Sequence, residues 1–327
     1  MSEAKVRWGV LGAARIIRRF IPGIQAADNA ELVAIASRDA AKSKAAAEQW
    51  GAPVAYGSYE ELLTAPDVDA IYIPLPNTFH AEWAIKAAQA GKHVLCEKPL
   101  ALSVEEVERV ASAAQSNHVN VMEGFMYRFH PQQARVRQLI EADAIGEPRV
   151  IRSTFAFAVA AGYNIRLDSS MGGGATWDVG TYAINVTRLM FGAEPVRVFA
   201  EATMQQGVDV SVAAIMDFEG ERRAVTDYGI NYGRRSFYEV IGTKGTLAVE
   251  NMWQEPNVPG YVYLRNDKGL TTEEFPLTNH FALEVEAFSQ AVLEGKPAPY
   301  PLSDTAANVR ACVALLRSMQ EGKPVQV

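Results

Sequence analysis

Val6-Arg7-Trp8-Gly9-Val10-Leu11-Gly12, followed by Ala13-Ala14-Arg15-Ile16-Ile17, is the stretch on which the reading of the fold turns. The first seven residues form a β-type run ending in glycine, and Ala13 to Ile24 continues as an expected helix with Ile16, Ile17 and Phe20 on one face. Strand, tight turn and helix in that order open a dinucleotide-binding unit. A helix N-terminus offers N–H groups and partial positive charge to a pyrophosphate, and small turn residues let the phosphates approach the backbone. The candidate contacts are Gly12, Ala13, Ala14, Arg15 and Ile16. The fingerprint G-x-G-x-x-G is incomplete, because Ala14 and Ile17 stand at its second and third glycine positions. On this stretch alone, a glycine turn closing an ordinary strand stays open.

Moving outward, Glu31-Leu32-Val33-Ala34-Ile35-Ala36 reads as a second strand, followed by Ser37 and Arg38 where an acidic residue would hold the ribose of NAD. A carboxylate there would repel a 2′-phosphate, whereas Ser37 can donate a hydrogen bond and Arg38 supplies a planar, always-charged fork. NADP is therefore the expected cofactor, the alternative being that Arg38 merely pairs with Asp39. A third strand, Val68 to Pro74, runs through Leu75-Pro76-Asn77-Thr78-Phe79-His80 into a helix over Ala81–Ala90, with Gly91 as its stop. Thr78 or Asn77 can cap this helix; Pro74, Leu75, Asn77 and His80 are also cofactor candidates. Gly91-Lys92-His93-Val94-Leu95-Cys96-Glu97-Lys98-Pro99 then supplies an apolar strand stopped by a proline that cannot donate to a ladder. Lys98 is expected to project at that strand's end, beside Glu97, and both are cofactor candidates. Strands alternating with helices predict a doubly wound parallel α/β sheet.

The chain has 327 residues, enough for two domains. Its 31 basic and 38 acidic residues, a formal net charge of −7, argue against a nucleic-acid or acidic-membrane surface. Cys96 and Cys312 are far apart and lack CxxC spacing, so neither a disulfide framework nor a zinc site is expected. No carboxylate or imidazole spacing suggests another metal. Met1-Ser2-Glu3-Ala4-Lys5 leads into a strand rather than a signal-peptide core, and no apolar run approaches the roughly 20 residues that span a bilayer. A cytoplasmic protein is expected. From Pro148 onward the pattern becomes strand-rich, with runs at Arg149–Phe157, Arg197–Thr203, Ser211–Phe218, Arg223–Tyr228 and Ser236–Gly242.

Pro76-Asn77-x-x-His80, the Gly91–Pro99 run with its Glu97-Lys98-Pro99, Met126-Tyr127-Arg128-Phe129-x-Pro131, Gly172-Gly173-Gly174-x-x-x-Asp178-x-Gly180-x-Tyr182, and Ile241-Gly242-Thr243-Lys244-Gly245 follow one another along the chain. Together these motifs resemble the Gfo/Idh/MocA oxidoreductases. The resemblance implies an N-terminal Rossmann domain, 1–125, and a C-terminal α+β domain, 126–327, with a large, mostly antiparallel open sheet. It also implies assembly as a homodimer or homotetramer through that sheet. An exposed face rich in Val, Ile, Phe and Tyr would be buried by a partner.

Many members of the family carry histidine where this chain has Tyr182, so the resemblance is to the branch of glucose-fructose oxidoreductase, dimeric dihydrodiol dehydrogenase and the NADP-dependent aldose dehydrogenases. It implies Lys98 and Tyr182 as the catalytic pair. Asp178 and Tyr182, four apart on a helix expected to begin after Gly174, share one face. Asp178 would orient the substrate or hold Lys98 charged. A phenol with a pKa of about 10 is a poor base at neutral pH, and a nearby ammonium favours the phenolate. Arg128, Asn164, Arg166 and His280 are candidate substrate contacts, and Arg128 and Trp177 candidate neighbours of the cofactor. The expected activity is oxidation of an aldose at C1 to a lactone. The alternatives are NADPH-dependent reduction of keto-sugars or dicarbonyls, and a dinucleotide-binding regulator without turnover.

Overall fold

The computed structural model describes residues 4–160, 162–253 and 258–327, so Met1, Ser2 and Glu3 of the leading segment lie outside the described residues. The chain divides into two units, Met1–Phe129 with Asn279–Ala306, and His130–Thr278 with Ala307–Val327. A single boundary near Phe125 makes no provision for the return of Asn279–Ala306.

The first unit has strands β1 (Val6–Leu11), β2 (Ala30–Ala36), β3 (Val54–Tyr56), β4 (Ala70–Ile73), β5 (His93–Glu97) and β6 (Val121–Gly124). Its helices are α1 (Ile17–Ala26), α2 (Ala40–Trp50), α3 (Tyr59–Thr64), α4 (His80–Gln89) and α5 (Val104–Ser116). The strands form one sheet in the order β3-β2-β1-β4-β5-β6, every pair parallel, as the strand-helix alternation predicts. The order reverses between β1 and β4, which opens a crevice beyond the carboxyl ends of the strands. Burial on both faces explains the continuous apolar character of β4, Ala-Ile-Tyr-Ile, all four residues of which are buried.

The returning helix His280–Leu293 packs on this sheet unit. The Trp8 indole donates to Ser289 Oγ at 3.1 Å, and a Cβ on Gly23 of α1 would lie 2.8 Å from Phe281 Cβ. Glycine at 23 is thus what lets the two helices approach. Two details depart from expectation. Helix α1 starts at Ile17, not Ala13, because the chain enters through a turn closed by i→i+3 bonds, Ile17 N–H to Ala14 O at 3.2 Å and Arg18 N–H to Arg15 O at 3.3 Å. Helix α4 is not capped by Asn77 or Thr78: its N-cap is Phe79, reached through a 3₁₀ turn over Asn77–Phe79 whose Phe79 N–H donates to Pro76 O at 2.9 Å. Gly91 does follow α4 in the left-handed region, at φ 74°.

The second unit holds α6 (Pro131–Glu141) and α7 (Thr181–Phe191). Its strands are β7 (Pro148–Ala156), β8 (Pro195–Gln205), β9 (Val208–Phe218), β10 (Arg222–Gly229), β11 (Arg235–Gly242), β12 (Gly245–Glu250), β13 (Gly260–Asn266), β14 (Gly269–Phe275) and β15 (Val325–Gln326). They form a nine-stranded sheet, β14-β13-β12-β11-β7-β10-β9-β8-β15, antiparallel except for the β7–β10 pair. The five strand-rich runs read from the sequence are β7 to β11. Alternation is clean in β9, where Val210, Val212, Ala214 and Met216 are buried and Ala213 and Ile215 exposed. Register puts Ile215, Val225 and Phe199 side by side on the outward face, with Asp217 beside them paired to Arg197 and Arg223. Among the described residues, no helix is long and apolar enough to cross a membrane.

Candidate active site

In the first unit the expected cofactor residues gather at one edge because parallel strands end there together. Gly12 follows β1 at φ 124°, and a Cβ on it would come 3.0 Å from Leu75 in the loop after β4, so the turn needs glycine both for its backbone angle and for space. Helix α1 has no side-chain cap and no acidic residue in its first turn, which leaves its N-terminus suited to an anion. Ser37 is buried just past β2 and accepts from Asp39 N–H at 3.2 Å, whereas Arg38 is exposed. Asp39 is occupied elsewhere: it caps α2 through Ala41 and Lys42 N–H and pairs with Lys42. Pro74 and Asn77 lie in the loop after β4.

Lys98 is the first residue beyond β5, half-buried, and the Lys98–Pro99 peptide is cis. Two groups secure its surroundings. The Tyr72 hydroxyl on β4 donates to Glu97 Oε1 at 2.6 Å. The ring of His80 lies 2.7 Å from Pro99 O through Nδ1 and 2.6 Å from Leu75 O through Nε2, linking the loops after β5 and β4. Complete burial, with Lys98 nearby, pushes the His80 pKa down to about 4. The ring is therefore neutral at pH 7, with one N–H to give, and its place is in the scaffold of the edge.

Beneath this edge lies a group of acids that the sequence reading passed over. Glu284, on the returning helix among Phe281, Val285 and Phe288, is 1% exposed, and burial, then the charge of Glu97, pushes its pKa well above the usual carboxylate range. Glu123 on β6 is also buried; its Oε1 accepts from Leu100 N–H at 3.0 Å, and burial raises its pKa to about 7. Arg128, expected at cofactor or substrate, is committed to Asp304 and stacks over Tyr300 at 4.0 Å. His280, another expected substrate contact, is buried at the start of the returning helix.

In the second unit the glycine triplet organises the remaining candidates. Gly173 lies so close to the loop before it that a Cβ would come 2.6 Å from Arg166 O and 2.8 Å from Ile165 O and Asp168 O. Gly174, at φ 114°, donates its N–H to Arg166 O at 2.8 Å and accepts from Asp178 N–H at 3.1 Å. A Cβ on it would lie 2.3 Å from Asp209 Oδ1, and Asp209 Oδ2 in turn accepts from both the N–H and hydroxyl of Thr176 at 2.7 Å. The helix expected after Gly174 begins as a π-helical turn, Thr176–Gly180, before α7. Such wide turns cluster at functional sites. Gly180 makes it fit, since a Cβ there would sit 2.6 Å from the Tyr228 ring.

Asp178 and Tyr182 thus sit on consecutive turns. Arg166 Nε donates to Asp178 Oδ2 at 2.6 Å, an ion pair within this unit. Asn164 caps the short turn carrying Arg166 by accepting from Arg166 N–H at 3.1 Å, so it serves the loop. Trp177 is buried within the π turn. Tyr182, 5% exposed, meets Phe155 edge-on at 5.4 Å and Trp253 at 6.1 Å, while Arg166 lies over Phe157 at 5.6 Å. Phe155, Phe157 and Trp253 were not foreseen. Their only sequence signal was their place at the ends of apolar runs.

Residues 6–125 match the family described as an oxidoreductase family with an NAD-binding Rossmann fold, and residues 133–248 match the GFO/IDH/MocA C-terminal domain. A D-xylose 1-dehydrogenase (NADP(+)) of Haloferax volcanii is 36% identical over 98% of this chain and 99% of its own. A 3-ketoreductase of Actinomadura kijaniata, solved with NADP and TDP-benzene, has a TM-score of 0.90 at 31% identity, covering 96% of this chain and 98% of that one. Further structures of that reductase carry a lysine replaced by alanine or a tyrosine replaced by phenylalanine. An aldose-aldose oxidoreductase of Caulobacter crescentus, complexed with glycerol, has a TM-score of 0.92 at 25% identity, covering 99% and 100%.

The buried acid on β6 yields a stability test. Glu123 has a folded pKa raised from 4.5 to about 7, so the folded state holds its proton more tightly than the unfolded chain. Its stabilising contribution is complete below pH 4.5 and is lost as pH rises through 7. Glu123→Gln, compared with wild type by chemical denaturation, should gain about 3 kcal/mol in relative stability between pH 4.5 and pH 8. A difference that stays flat with pH would place Glu123 outside this account.

Proposed function

The chain belongs to the Gfo/Idh/MocA oxidoreductases, and we propose that it is an NADP-dependent sugar oxidoreductase that oxidises the C1 hydroxyl of an aldose, of the D-xylose or D-glucose type, to the lactone. The observation that carries this reading is a lysine at the end of β5 together with a tyrosine on the first turn of α7. The lysine and tyrosine replaced in the Actinomadura reductase stand the same number of residues apart as Lys98 and Tyr182. The xylose dehydrogenase relative supports the aldose.

The residues fit the cofactor. Gly12 leaves the space that a Cβ would fill, α1 presents an uncapped N-terminus through Ala13, Ala14, Arg15 and Ile16, and the tip of β2 carries Ser37 and Arg38 in place of a carboxylate. Ser37 and Arg38 would hold the 2′-phosphate. Bound there, NADP supplies the hydride acceptor. Tyr182, as phenolate, takes the proton of the C1 hydroxyl, and the Lys98 ammonium favours that phenolate and hydrogen-bonds the substrate oxygen. In the reverse direction the same phenol donates, so reduction of a keto-sugar or dicarbonyl is the second reading. The 3-ketoreductase relative favours it. A regulator without turnover would have no use for this pair of residues.

The outward face of the second sheet, with Phe199, Ile215 and Val225 among charged residues, supports a homodimer or homotetramer formed there. Light scattering at micromolar protein should give a multiple of the 35.7 kDa chain mass, and a monomer alone would refute this assembly.

A panel of aldoses, keto-sugars and dicarbonyls, followed at the nicotinamide absorbance in both directions, tests the activity itself. Tyr182→Phe should lower kcat by about 100-fold or more with NADP affinity unchanged, and retained turnover would remove Tyr182 from proton transfer. For the cofactor, Arg38→Ala should reduce the NADP-to-NAD ratio of kcat/KM by about tenfold or more, the loss of a charge-assisted hydrogen bond. An unmoved ratio would mean that Arg38 does not read the phosphate.

A further inference from the structure

The peptide group between Pro99 and Leu100 lies just past the end of β5, between two buried residues, and side chains grip both of its polar atoms. Its carbonyl, on Pro99, is 2.7 Å from His80 Nδ1, and its N–H, on Leu100, donates to Glu123 Oε1 at 3.0 Å. Glu123 belongs to β6 and is 1% exposed. Its own backbone is anchored: it stands opposite Cys96 in the ladder, and its carbonyl accepts from Phe125 N–H at 3.1 Å and from the Tyr300 hydroxyl. Burying an acid there is costly. An apolar side chain would avoid that cost but leave the Leu100 N–H buried without its acceptor.

We propose that Glu123 is a positioning residue for Lys98: by holding the Leu100 N–H it fixes the chain two residues beyond the lysine, and so sets where the ammonium stands at the sheet edge. The inference rests on Lys98 as the catalytic lysine of the proposed reaction. The Lys98–Pro99 peptide carries no N–H, so Pro99–Leu100 is the first peptide beyond the lysine with both a donor and an acceptor to hold. With His80 on one side and Glu123 on the other, that peptide cannot turn without breaking these bonds. Misplacing a reacting group by about 1 Å costs on the order of 100-fold in rate, so the grip of Glu123 acts on kcat. What the position requires is an acceptor oxygen at the right reach. A carboxylate, a carboxylic acid and an amide each supply one.

Three variants separate these properties. Glu123→Gln keeps the acceptor and its reach, Glu123→Asp keeps the acid but withdraws it by one methylene, and Glu123→Leu fills the space without an acceptor. Each is assayed for kcat, KM and NADP affinity at a temperature where circular dichroism shows it folded, alone and combined with Lys98→Ala at high enzyme concentration. In E123D and E123L kcat should fall about tenfold or more, while E123Q stays within about threefold of wild type and NADP affinity holds in all three. In the K98A background the same substitutions should cost nothing further, because a residue that acts through the lysine then has nothing left to place. The inference is overturned by unchanged kcat in E123D and E123L, by an E123Q as impaired as E123L, or by losses that persist undiminished in K98A. Should E123L fail to fold, E123D against E123Q decides the matter. Full turnover in K98A would bring down the lysine assignment and this inference with it, an outcome distinct from an essential lysine beside an E123D of wild-type kcat.

Discussion

Backbone brought closer to its neighbours than a methyl group allows is the constraint on which the rest of this structure depends. It recurs at each point where chemistry is assembled. Gly12 lets the first turn pass against Leu75, Gly23 lets the returning helix settle on α1, Gly173 takes the weight of three carbonyls, and Gly180 accepts the face of Tyr228. At Gly174 the constraint is doubled, since the residue needs a positive φ and leaves no room beside Asp209. Each of these contacts replaces adjustable side-chain packing with a fixed backbone spacing, and fixed spacing is what a site needs to hold polar groups within hydrogen-bond tolerance.

The polar groups so held divide into two kinds. One kind lies at the edge of the parallel sheet: buried Ser37, exposed Arg38 and half-buried Lys98. The other lies beneath and is kept neutral or paired. His80 is held unprotonated by burial, the pKa values of Glu123 and Glu284 are raised for the same reason, and Arg128 is matched by Asp304. A buried charge without a partner costs several kcal/mol, so neutralisation is the cheaper state for the lone groups and pairing for the arginine.

Much of this was legible before any coordinates, and for a definite reason. Apolar runs bounded by Gly and Pro report burial on two faces, so β1, β2, β4 and β5 could be read directly, and a strand stopped by Pro99 marks where Lys98 must emerge. The four-residue step from Asp178 to Tyr182 is likewise local. What escaped the reading is what depends on distant pairing. Nothing near Arg128 announces Asp304, 176 residues later. Asn164 and Arg166 were read as candidate substrate contacts, and only three-dimensional contact reveals that the first caps their loop and the second pairs with Asp178. Glu284 did carry a signal: an acid set among Phe281, Val285 and Phe288 breaks the apolar face of its helix. The return of Asn279–Ala306 to the first unit had none, because the apolar stripe of a helix does not say which sheet it will cover.

The π turn over Thr176–Gly180 makes segment length a quantity in its own right. A turn of this kind accommodates one residue beyond an ordinary helical turn, and every residue after it is rotated accordingly. Deleting any single residue between 176 and 180 would leave a better-formed helix, yet would swing Tyr182 by about 100° around the axis while leaving its chemical identity untouched. The phenol is thus aimed by counting as well as by contact.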